Sequence, residues 1–134
     1  MSKLATIEGI GEAYEAKLSE AGIKSAEDLL EKAATRTGRG NLADSTGISE
    51  SLILRWVNHV DLARIDGVGP QFAELLEAAG VDSVAELAQR NAENLHTKLV
   101  EVNAAKNLVN RVPGLSEIER FVSEAKELPK VVSH

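Results

Sequence analysis

Apolar residues recur along this chain at helical spacing. Phe72, Leu75, Leu76 and Ala79 stand at i, i+3, i+4 and i+7, as do Ile53, Trp56, Val57 and Val60, and Ile118, Phe121, Val122 and Ala125. At 3.6 residues per turn each quartet lines one side of a helix. No alternation of period two competes, so the predicted elements are short helices joined by short turns. The punctuation agrees: Pro70 suits a first helical position and Gly22 and Gly80 suit left-handed C-terminal caps. Ser25, Ser83 and Ser116 each precede an acid by three residues, the spacing of a capping box. Thr35-Arg36-Thr37-Gly38-Arg39-Gly40-Asn41 reads as the longest irregular segment, Pro113-Gly114 and Pro129 break the chain near its end, and residues 130–134 are expected to fray.

Sliding the chain by 58 places lays Ile7-Glu8-Gly9-Ile10-Gly11 on Ile65-Asp66-Gly67-Val68-Gly69. Leu18, Ala21, Gly22, Ser25 and Leu29 then recur as Leu76, Ala79, Gly80, Ser83 and Leu87, giving 8 identities in the 24 positions from Ile7, where average composition gives about one or two by chance. A weaker match pairs Asn41-Leu42 with Asn94-Leu95 and Val57-Asn58-His59-Val60 with Val109-Asn110-Arg111-Val112. The pattern predicts an all-α protein of two tandem copies, residues 1–61 and 62–134, with the boundary near Asp61.

Composition narrows the chemistry. The 134 residues are 43% hydrophobic, 27% charged and 3% aromatic, the profile of an ordinary globular chain. The absence of cysteine removes disulfides, thiolate metal sites and thiol nucleophiles. His59 and His96 have no metal-ligand spacing and no nucleophile stands with a base, so an enzyme is not expected. No stretch approaches the roughly 18 apolar residues of a membrane helix, and no secretory core follows Met1; no membrane partner and a cytoplasmic location are expected. With a net charge of −6, any nucleic-acid binding must come from a local patch.

Gly9-Ile10-Gly11 and Gly67-Val68-Gly69 each stand immediately before a predicted helix. Glycine supplies φ > 0 and lets a ligand approach bare backbone, while the first N–H groups of the helix are unpaired and carry the positive end of its dipole. The pattern apolar-x-Gly-apolar-Gly, followed by a helix ending near Ala21-Gly22-Ile23 and Ala79-Gly80-Val81, resembles the helix-hairpin-helix motif. Ser45-Thr46-Gly47-Ile48-Ser49 looks like a degenerate second hairpin, with Leu99 to Asn103 as its counterpart in the second copy. Two paired units of SAM-domain-like short helical bundles resemble the bacterial domain of unknown function 4332, a family built from such pairs.

That resemblance implies binding of DNA backbone without reading of sequence: amides of the hairpin contact phosphates, a nearby cation assists, and some hairpins hold a monovalent cation on their carbonyls. Carried onto this chain, the hairpin residues are Gly9, Ile10, Gly11, Gly67, Val68 and Gly69. The chain departs from the pattern in its charges, because Glu12 follows the first hairpin and Pro70-Gln71 the second. Residues 7–31 hold two bases against seven acids and residues 65–89 hold five acids and no base, while residues 32–64 and 90–116 are net basic. The expected supporting cations are therefore Arg36, Arg39 and Arg55 in the first copy, Arg64 just before the second hairpin, and Lys98, Lys106 and Arg111 beyond it. Trp56 is expected in the core rather than against a base. The competing expectation is an adaptor that binds a protein or itself through complementary charged and apolar helix faces, without nucleic acid.

Overall fold

In the computed structural model of the chain, residues 3–7 and 9–134 are described, and every regular element among them is helical. A short 3-10 turn at Leu4–Thr6 precedes α1 (Glu12–Glu20), α2 (Ala26–Lys32), α3 (Arg36–Thr46) and α4 (Glu50–Leu62). The second half repeats the order with α5 (Pro70–Ala78), α6 (Val84–Ala88), α7 (Ala92–Lys106) and α8 (Leu115–Glu127). Two compact units result: Met1–Asp61 together with Val131–His134, and Leu62–Lys130.

Local chemistry explains most boundaries. The hydroxyls of Ser25 and Ser83 accept from the amides of Asp28 and Glu86, both at 3.1 Å, and so start α2 and α6. Thr35 and Asn91 do the same for Gly38 and Asn94 at 3.0 Å. After α1, Gly22 at φ 88° lets Ile23 N–H reach Leu18 O at 2.9 Å; after α5, Gly80 at φ 93° lets Val81 N–H reach Leu76 O at 2.8 Å. These are the wide backbone loops that close a helix through a left-handed glycine. Ser116 does not cap α8 as its spacing suggests. The helix begins at Leu115, two residues earlier than a Ser116 cap would place it, and Glu117 reaches back to the amide of Gly114 at 3.3 Å.

Three expectations fail for tertiary reasons. The glycine-rich stretch 35–41 is not irregular: it caps and opens α3. A Cβ on Gly38 would lie 2.2 Å from the carbonyl oxygen of Lys32, so this glycine serves close approach of backbone rather than flexibility. Leu99 to Asn103 lie inside α7 rather than in a turn, and Val109-Asn110-Arg111-Val112 is not helical. Asn103 instead clips the connection after α7, donating to Val109 O and accepting from Val109 N, both at 3.0 Å. Finally, the tail is not frayed: Val132 is 1% exposed within the first unit's core.

Each unit has its own core. The first is built on Leu18, Ile23, Leu29, Ile53, Trp56 and Val57, with Tyr14 edge-on to Trp56 at 5.1 Å between ring centroids. The second is built on Leu76, Val81, Leu87, Leu95, Ile118 and Phe121. In both, the apolar side chain at the centre of the glycine turn, Ile10 or Val68, is buried while the flanking glycines stay exposed. Burying that side chain ties each turn to the core beneath it, worth about 1.5–3 kcal/mol.

Candidate nucleic-acid interface

The two glycine turns share one backbone. Gly9 and Gly67 sit at φ 91° and 92°, in the left-handed region that favours glycine. Gly11 and Gly69 precede α1 and α5 with φ −93°, ψ −174° and φ −94°, ψ −173°. Neither helix start has a side-chain cap, and a Cβ at Gly11 or Gly69 would meet nothing within 4 Å. The central amide is already used: Ile10 N–H donates to Ile7 O at 3.2 Å and Val68 N–H to Ile65 O at 3.1 Å. The donors these turns can offer outward are consequently the amides of the first helical turn, which no intrahelical carbonyl accepts. Both turns therefore present bare backbone with an uncapped, positive dipole end.

The expected cations meet different surroundings. Arg36 stands exposed at the first position of α3. Arg39 is 4% exposed and is taken up by three carbonyl oxygens: Nη1 donates to Ala33 O and Ala34 O at 3.0 Å, and Nη2 to Ser133 O at 2.7 Å. Burial draws its pKa below the usual arginine value, with Glu50 opposing and Arg36 reinforcing the shift. Three of the five N–H donors of Arg39 are spent on these carbonyls, and its burial inside the first unit removes it from any outward-facing patch. Arg55 is exposed on α4. Arg64 donates to Pro129 O at 2.8 Å. Lys98 and Lys106 are exposed on α7, and no hydrogen bond or ion pair among the described residues joins them to the turn at Gly67. Arg111 pairs with Glu117 at 2.7 and 3.3 Å. That pairing raises the pKa of Arg111 and, with the amide of Gly114, holds the Glu117 carboxyl below its ordinary range.

Arg120, absent from the expected set, stands at the second glycine turn. Its Nη1 donates to Asp66 O at 3.0 Å, its Nη2 lies 2.8 Å from where a Cβ of Gly67 would be, and its guanidinium carbon is 5.0 Å from the centroid of the Phe121 ring. Glu124, one turn on, accepts from Asp66 N at 3.1 Å and lies 3.6 Å from Arg120. The α8 side chains thus hold both backbone polar groups of Asp66 on the approach to the turn. A sequence signal for this existed: Arg55-Trp56-Val57 and Arg120-Phe121-Val122 repeat the same arginine, aromatic and valine in the last helix of each unit.

The first unit differs behind its turn. Trp56 is fully buried, and its Nε1–H has no hydrogen-bond partner among the described residues. It ends 3.4 Å from the position of a Cβ on Gly9. An indole N–H is a donor only, and leaving it unpaired costs about 1–3 kcal/mol. Among the described residues no group of three or more His, Asp or Glu side chains could hold a metal ion. No helix among them is long and apolar enough to cross a membrane.

These features define a class: a protein of two units, all-helical among the described residues, each with an exposed glycine turn leading into a helix, α1 or α5. The chain belongs to the family described as Domain of unknown function (DUF4332), whose model matches residues 8–128. No curated protein and no solved structure matches it.

Proposed function

We propose that this chain is a non-enzymatic binding module whose two tandem helix-hairpin-helix turns engage nucleic-acid backbone without sequence preference. What carries the reading is the duplication of one site: a bare positive-φ glycine turn feeding an uncapped helix, with an arginine and an aromatic ring from the unit's last helix following the same order. A phosphate oxygen accepts from backbone amides at such a helix start with no side chain in the way. In the second unit Arg120 supplies the neighbouring positive charge.

Fluorescence anisotropy with labelled duplex and single-stranded DNA tests this directly. Binding in about the 10⁻⁴–10⁻⁶ M range that weakens steeply with salt is the expected result, since displaced counterions set the slope. A folded protein that leaves both probes unbound at low salt would sink the reading. The second reading, an adaptor for a protein partner or for itself, is favoured by the charge of the turns: Glu12 is exposed directly after the first, and the surrounding segment is strongly acidic. An apolar protein interface would change only modestly over the same salt range.

A further inference from the structure

We propose that the cleft on the first unit that holds residues 131–134 is a docking site for an extended chain segment, and that the tail of a second copy of this chain fills it when two molecules exchange tails. The seat is visible because the chain's own tail occupies it. Ser133 is bound through its main chain on both sides: its N–H donates to Ala34 O at 2.9 Å and its carbonyl accepts from Arg39 at 2.7 Å. Val132 is buried and Val131 beside it is 37% exposed, the alternation of an extended strand. His134 Nε2 lies 3.0 Å from Asn58 Oδ1. The cleft therefore recognises backbone, one aliphatic side chain and an imidazole, and every copy of the chain carries that ligand.

The connection favours exchange. Helix α8 ends at Glu127, and Leu128 is extended at φ −87°, ψ 140°, as the proline after it requires. Pro129 is held to the second unit by Arg64 and Val131 already belongs to the first. Lys130 alone separates the two anchors, so release of the tail costs the second unit none of its core. Exchange of an identical element is a low-cost route to a dimer, because every bond in the closed form is remade in the swapped one. At low concentration the tethered tail wins, since a short linker gives it an effective concentration in the millimolar range.

Two full-length variants remove that competition. Val132→Asp disables the tail and leaves the cleft; Arg39→Met disables the cleft and leaves the tail. Analytical ultracentrifugation is expected to show each alone as a monomer and the mixture as a one-to-one dimer of doubled mass. A labelled peptide of residues 128–134 is expected to bind Val132→Asp and not Arg39→Met. A mixture that stays monomeric and a peptide that stays free, with both variants retaining the helical circular dichroism of the parent, would overturn the proposal. If Val132→Asp loses its helices, Val132→Ala takes its place and the same outcomes decide. No nucleic acid enters the experiment, so its result is independent of the backbone-binding reading.

Discussion

Behind Gly9 the first unit places an indole whose N–H has no acceptor, whereas behind Gly67 the second unit places a phenyl ring with an arginine laid across it. The backbone of the two turns is the same to within a few degrees. The same local geometry is thus backed by different rings: Phe121 has no polar atom to satisfy, and beside it Arg120 and Glu124 hold the backbone C=O and N–H of Asp66. Positions 55 and 59, which precede and follow Trp56 as 120 and 124 precede and follow Phe121, hold Arg55 and His59. A turn is specified by its glycines, but what it can hold is specified by the helix behind it.

The largest test of this comparison removes the rings. Trp56→Ala and Phe121→Ala are each expected to cost about 3–5 kcal/mol. Because the cores are separate, residue-resolved hydrogen exchange should show the greater loss of protection in the altered unit; equal loss in both would mean the units fold as one. Trp56→Phe gives the first unit the second unit's kind of ring and removes the unpaired donor, so it should cost far less than Trp56→Ala in the same denaturation experiment.

Next come the glycines. Gly67→Ala must hold a side chain in the left-handed region, about 1–2 kcal/mol, and must also displace Arg120, whose Nη2 would be 2.8 Å away. Gly9→Ala meets only Trp56 at 3.4 Å and should lower the melting temperature less, while Gly69→Ala, in open space, should barely move it. A smaller effect is expected on binding: Arg120→Ala should weaken DNA affinity and reduce the slope of log affinity against log salt by about 1, with Arg39→Lys leaving that slope unchanged.

The smallest effect is one of pH. Glu117, its carboxyl held below the ordinary range by Arg111 and then by the Gly114 amide, contributes stability that is present above the usual carboxylate pKa and is lost as pH falls through its lowered value. In Arg111→Ala that acid-side loss should shrink, measured as protection of the first turn of α8 against pH. At the start of α4 in the first unit, Ser49 Oγ accepts from Leu52 N at 3.3 Å.

How far these sites could be read in advance follows from where their register is kept. The 58-residue offset holds through α1, α2, α5 and α6 because both copies use the same caps there. It fails beyond, since α3 has 11 residues and α7 has 15, and the connection at 107–114 replaces the short one at 47–49. The quartets around Trp56 and Phe121 carry the true correspondence, and aligning them would have brought Arg120 forward as the partner of Arg55. Arg36 and Arg39 stand three residues apart in one basic stretch, yet about one turn of helix separates an exposed guanidinium from a buried one.

The sequence by itself determined the helical class, the glycine turns, the caps at Ser25 and Ser83 and the glycine closures, because each depends on groups within about five residues and on backbone preferences that act before any tertiary contact forms. Only the tertiary structure decided the fate of Arg39, the seating of the tail and the approach of Arg120 to Gly67. Arg39 and Ser133 are 94 residues apart and Arg120 and Asp66 are 54 apart. Whether an arginine faces water or three carbonyls is decided by what covers it, and that cover comes from distant chain brought in by burial of apolar surface.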